Sequence, residues 1–127
     1  MSSKGNSGWI GVDLDGTLAE YDVWRGPDHI GKPIPLMLER VKRWLAEGRE
    51  VRIFTARVYH PSDDLARFFD AAHAREVIEK WCLEHLGQRL QVTCTKDYSM
   101  IEVWDDRAIQ VVPNTGLRAD GVGEEPK

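Results

Sequence analysis

Five short apolar runs mark this chain, at 9–13, 50–54, 90–94, 100–104 and 109–112. Runs this short suit strands buried on both faces rather than core helices. Two longer stretches with helical spacing alternate with them. The first, about 35–47, begins near Pro33 and Pro35, places Met37, Val41, Trp44 and Leu45 on one side and stops at Gly48. The second lies within 62–86. Ser62 followed by Asp63 and Asp64 is an N-cap signal, and Leu65, Phe68, Phe69, Val77, Ile78, Trp81 and Cys82 make one apolar stripe that ends at Gly87. A break near Ala71-Ala72-His73 would divide it into two helices. Strands alternating with helices predict an α/β fold with a parallel sheet covered on its faces. The ligand crevice of such a sheet lies beyond the carboxyl ends of its strands.

Chemistry-bearing residues sit at those ends. The run Trp9-Ile10-Gly11-Val12 leads into Asp13-Leu14-Asp15-Gly16-Thr17-Leu18. Strand side chains repeat every two residues, so Asp13 and Asp15 reach the same side, Gly16 allows a sharp turn, and Thr17 can bond the turn or a phosphate oxygen. Val51-Arg52-Ile53-Phe54 runs into Thr55-Ala56-Arg57, Leu90-Gln91-Val92-Thr93-Cys94 is followed by Lys96, and Met100-Ile101-Glu102-Val103-Trp104 ends in Asp105-Asp106-Arg107. Four carboxylates near one point repel one another unless a cation or protons intervene. An oxygen-only set with no Cys or His spacing favours Mg²⁺. Adjacent Asp105 and Asp106 face different ways, so one can bind metal directly while the other acts through water or holds Lys96.

In these four motifs the chain resembles the haloacid dehalogenase (HAD) superfamily, over roughly residues 8–113. The resemblance implies a Rossmann-like three-layer fold with a five-stranded parallel sheet in the order 3-2-1-4-5. It also implies a Mg²⁺-dependent phosphomonoester hydrolase with an aspartyl-phosphate intermediate. Asp13 would be nucleophile and metal ligand. Asp15 would give its carbonyl to the metal and its side chain as general acid–base. Thr55, with backbone N–H groups of the Leu14–Gly16 turn, would hold phosphoryl oxygens, and Lys96 would neutralise Asp13 and the phosphoryl group. Asp105 would be the direct metal ligand of the acidic pair, with Asp106 beside it. Gly16, Arg57 at the crevice mouth, and Arg107 as a clamp between carboxylates or a plain salt bridge, complete the candidates near the motifs.

The stretch Glu20–Lys32 corresponds to the family's flap, where Trp24, Arg25, His29 and Lys32 could line the pocket. Its Arg-Gly-Pro-Asp string and the Asp-Asp-Arg end also resemble the phosphatase half of phage polynucleotide kinase-phosphatases. That implies a 3′-phosphatase for nucleotides or oligonucleotides as an alternative activity. A non-catalytic phosphate-binding or interaction module on the same fold is the rival from another class. The intervals between motifs are filled by the flap, helices and a strand, so no cap domain fits. Discrimination then falls to the crevice rim, or to a neighbouring protomer in a homo-oligomer.

Composition sets the remaining bounds. One catalytic domain is expected over 8–118, with small, polar, glycine-rich tails at 1–7 and 119–127. Hydrophobic residues make up 42% and nothing approaches a membrane span or a signal peptide, so no membrane partner is expected. Cys82 and Cys94 read as reduced thiols, which fits a cytoplasmic setting. A net charge of −4 argues against bulk nucleic-acid binding. The expected partner is a phosphorylated substrate, either a small molecule or an oligonucleotide end.

Overall fold

The computed structural model describes residues 8–123. Four strands, β1 (Trp9–Val12), β2 (Glu50–Phe54), β3 (Gln91–Thr93) and β4 (Met100–Trp104), form one parallel sheet in the order β3-β2-β1-β4. These are the first four expected strands, in the expected order. Helix α1 (Pro35–Ala46) starts on a proline, whose missing N–H costs nothing at that position, and buries Met37, Val41 and Trp44.

Helix α2 (Leu65–Leu86) lies within the expected 62–86 and departs from expectation in its apolar stripe. Its cap is Asp64, whose carboxylate accepts from Arg67 N at 3.0 Å, so the helix begins beyond Ser62. It runs unbroken through Ala71–His73, the small Ala71 and Ala74 being buried on its inner face, and ends at Gly87 with φ 81°. Leu65, Phe68 and Phe69 do not join the core; they are 69%, 46% and 61% exposed. The buried face starts only at Ala71 and continues through Ile78, Trp81 and Cys82. Phe68 instead packs edge-on to His60 and Phe69.

Both crossovers step the same way, β1 to β2 to β3, so right-handed connections place both helices on one face. There Ile10, Val12, Val51, Ile53 and Val92 form a single core with Met37, Val41, Trp44, Ile78, Trp81 and Cys82. The expected third layer is missing among the described residues. The other face is crossed by the 94–99 connection between β3 and β4. Asp97 accepts from Trp9 Nε1 at 2.9 Å, Arg52 stacks on the Trp9 ring, and the Met100 methyl fills the space that a Cβ at Gly11 would need.

The expected fifth strand is replaced by a hairpin. Val111 bridges Arg118 in antiparallel fashion, Val112 N donates to Leu117 O, and Ala119 N donates to Gln110 O, both at 2.8 Å. Pro113 follows the apolar run directly, and Asn114 (φ 68°) and Gly116 (φ 79°) adopt the left-handed backbone of a tight return. The run therefore satisfies its backbone locally, and β4 remains the sheet edge with Ile101 and Val103 44% and 45% exposed. The tail expected from 119 starts inside this hairpin, with Arg118 paired to Asp120. The expected tail at 1–7 and residues 124–127 lie outside the described residues. No helix among those described is long and apolar enough to cross a membrane.

Candidate active site

The chain leaves β1 with Asp13 N bonded to Trp104 O at 2.9 Å, which fixes the first motif beside the end of β4. The carbonyl of Leu14 then accepts from the backbone N–H groups of Thr17, Leu18 and Ala19, winding residues 14–19 into a tight loop. Leu14 and Leu18 anchor that loop with fully buried side chains. Gly16 has φ 92°, and a Cβ there would lie 2.6 Å from Asp106 Oδ2. Glycine is required twice over, by backbone conformation and by space. The Thr17 hydroxyl lies 3.1 Å from Asp13 Oδ2 and accepts from Asp106 N at 2.9 Å, so one side chain ties the first and last motifs together.

Asp13, Asp105 and Asp106 each offer a carboxylate oxygen, and the three atoms lie within 4.8 Å of one another. Burial first, and then the neighbouring Asp105 and Asp106, push the Asp13 carboxyl up to about 7. No lysine or arginine ion-pairs with this cluster among the described residues. Three hard oxygen donors with unrelieved repulsion fit a divalent cation such as Mg²⁺, which accepts few protein ligands and keeps waters.

Asp15 points to a different partner. Arg57 grips both its oxygens, Nε to Oδ2 at 2.8 Å and the terminal nitrogen to Oδ1 at 2.9 Å. The same guanidinium donates to His29 O at 3.0 Å and Pro27 O at 3.5 Å, and lies 4.8 Å from the Trp24 ring centroid. With a side chain only 6% exposed, Arg57 fastens the flap to the first motif. Thr55 is buried, and its hydroxyl accepts from Arg57 N at 3.1 Å, starting the short 3₁₀ turn Ala56–Val58. The threonine thereby helps aim the arginine.

A cavity of about 1030 Å³ opens beside these groups. Asp13, Asp15, Thr55, Arg57, Asp105, Asp106 and Arg107 all line it. Lys96 does not. It is exposed in the connection beyond β3, two residues past the cavity-lining Cys94, and forms no ion pair among the described residues. Arg25, His29 and Lys32 line a separate hollow of about 500 Å³ with Glu20, Tyr21 and Asp22, and Arg25 is occupied by Asp22 at 2.7 Å. Among the described residues Arg107 clamps no carboxylate; its backbone N–H instead bonds Asp105 Oδ1 at 2.8 Å. Sequence reasoning missed Tyr21, Tyr59, Arg67 and Asp70, which also line the main cavity. They come from three separate segments; only Arg67 and Asp70, three apart on α2, are connected by spacing.

Comparison with known proteins adds the fold. A solved structure, described as that of the conserved protein coded by locus from Bacteroides thetaiotaomicron, is 22% identical with a TM-score of 0.53. The match covers 86% of this chain and 84% of that one. The α/β fold is shared. No family model matches the chain, and no curated protein matches it.

Proposed function

We propose that the chain is a Mg²⁺-dependent phosphomonoester hydrolase of the HAD type that works through an aspartyl-phosphate on Asp13. The observation that carries this reading is the carboxylate triad of Asp13, Asp105 and Asp106, set at the strand ends within one cavity. Those three residues would hold the cation. When bound, it would offset their charge and draw electron density from the phosphoryl oxygens.

The chain's own groups account for the remaining steps. An Asp13 oxygen attacks phosphorus, the bond to the leaving oxygen breaks, and Asp15, carrying a proton on an oxygen that Arg57 releases, protonates the leaving group. Asp15 then takes a proton from water as it attacks the same phosphorus, and the bond to Asp13 breaks to release inorganic phosphate. Arg57 holds both Asp15 oxygens in the resting site and would keep one of them while the other carries the proton. Thr55 and the tight 14–19 loop border the space for the phosphoryl oxygens. The HAD resemblance gives Lys96 the task of neutralising the phosphoryl group, for which its exposed side chain would have to turn into the cavity.

A narrower activity, removal of 3′-phosphates from nucleotides or oligonucleotide ends, is favoured by the size of the cavity and its aromatic wall. The test is hydrolysis of an aryl phosphate with and without Mg²⁺, and by Asp13→Asn and Asp15→Asn. Activity should require Mg²⁺ and vanish with Asp13→Asn. Asp15→Asn should slow alkyl phosphates more than aryl phosphates, because poor leaving groups need the proton. Turnover by Asp13→Asn at the wild-type rate overturns the covalent route. Binding of inorganic phosphate without any turnover would favour the non-catalytic module.

A further inference from the structure

The cavity is much larger than a phosphoryl group. At about 1030 Å³ this open cleft has room for a whole small molecule. Beyond the carboxylates and Thr55, its wall carries three aromatic side chains left largely in water. Tyr21, Trp24 and Tyr59 are 43%, 52% and 60% exposed. Arg57 covers part of the Trp24 indole and leaves the rest open.

The cations of the wall differ from one another. Arg57 is fully engaged by Asp15 and the flap carbonyls. Arg67, in the first turn of α2, and Arg107, past β4, line the cavity without an ion-pair partner among the described residues. Asp70 stands three residues beyond Arg67 on the same wall, yet the two do not pair. An unpaired guanidinium in a cavity is a ready site for a planar or tetrahedral anion. The triad cannot supply that anion, since its own charge is matched by a cation or protons.

We propose that this wall is a leaving-group subsite, in which the aromatic side chains stack on a flat ring and Arg67, with Arg107, takes a second anionic group. The preferred substrates are then phosphomonoesters that carry both features, as a nucleoside bisphosphate does. This rests on the hydrolase reading only in treating the triad as the place where the first phosphate reacts. Stacking on aromatic side chains tolerates any base, so selectivity comes from the ring and the second charge rather than from base identity.

The test compares kcat/KM for a nucleoside 3′-phosphate, the matching 3′,5′-bisphosphate, a hexose monophosphate and a hexose bisphosphate. Each bisphosphate should exceed its monophosphate, and the nucleoside esters should exceed the sugar esters. Arg67→Gln should lower the bisphosphate-to-monophosphate ratio at least tenfold, mainly through KM. Asp70→Asn should raise that ratio, because it removes a competing negative charge from the same wall. Tyr59→Ala should narrow the nucleoside-to-hexose ratio. Ratios near one that neither charge variant moves overturn the subsite and leave the hydrolase standing. Calorimetry of the nucleoside bisphosphate with metal-free Asp13→Asn protein reads the subsite without turnover. If no ester is hydrolysed, binding that Arg67→Gln weakens sustains the subsite while the hydrolase falls. Absence of binding overturns the subsite.

Discussion

Removing the charge of Asp13 should make the metal-free protein more stable at neutral and alkaline pH. The Asp13 carboxyl is displaced from 3.8 to about 7, chiefly by burial and by Asp105. Between those values the folded chain holds a proton that the unfolded chain has lost, so stability falls as pH rises through the window. The penalty is absent below about pH 4 and complete above about pH 7. One pH unit of displacement corresponds to about 1.36 kcal/mol, which sets a ceiling of about 4 kcal/mol. Asp13 is only half-buried, and screening by solvent reduces this to roughly 1–2 kcal/mol. For a chain of this size that is a rise in Tm of about 3–10 °C for Asp13→Asn at pH 8. Thermal unfolding followed by circular dichroism, in chelator, at pH 4 and pH 8 measures it. The same scans with saturating Mg²⁺ should raise the wild type by about 2.7 kcal/mol at a hundred times Kd and leave the variant nearly unmoved. A variant that is less stable than wild type at pH 8, or a wild type indifferent to Mg²⁺, refutes the account of the triad as an unrelieved charge cluster.

Three other substitutions probe separate parts of the site. Arg57→Ala leaves Asp15 without its partner and frees two flap carbonyls, so urea denaturation should register a loss of about 2–4 kcal/mol and protease should cut within 20–32 faster. Thr17→Val removes the hydroxyl that joins Asp13 to the Asp106 backbone, and Mg²⁺ affinity measured by calorimetry should fall about tenfold or more. Lys96→Ala should leave Tm unchanged, since the side chain is exposed and forms no ion pair among the described residues, while lowering kcat/KM at least tenfold; an unaltered kcat/KM removes Lys96 from the mechanism.

Strand and helix periodicity made most of the sheet legible, because β1, β2 and α1 bury the residues that their spacing nominates, apart from the partly buried Leu45. The run at 109–112 was misread for a definite reason. A stretch of Ile, Gln, Val and Val has the same composition in a parallel strand as in a hairpin arm, and the local signs of return, Pro113, Asn114 and Gly116, follow the run rather than interrupt it. Leu65, Phe68 and Phe69 keep helical spacing where α2 is not yet buried, and spacing does not reveal where burial begins. Within the site, the triad was legible because strand ends converge by topology. The grip of Arg57 on Asp15 was not, because sequence places it at the mouth without saying which neighbour it meets. The Tyr59–Arg67 wall left no signal, since its members meet only through the packing of separate segments.

The Thr17 bridge joins residues 89 positions apart, so most of the chain is threaded between the two halves of the carboxylate cluster. Closing a loop of that length is entropically costly, and the cluster exists only after β4 has docked on β1. An ion meeting a partly folded chain finds Asp13 apart from the Asp105–Asp106 pair. Metal should therefore act mainly on the unfolding limb of a chevron, slowing departure from the native state while leaving the folding limb almost unchanged. Amide exchange should tell the same story: protection of β1 and β4 rising together with added Mg²⁺, and the outer turns of α2 exchanging as before.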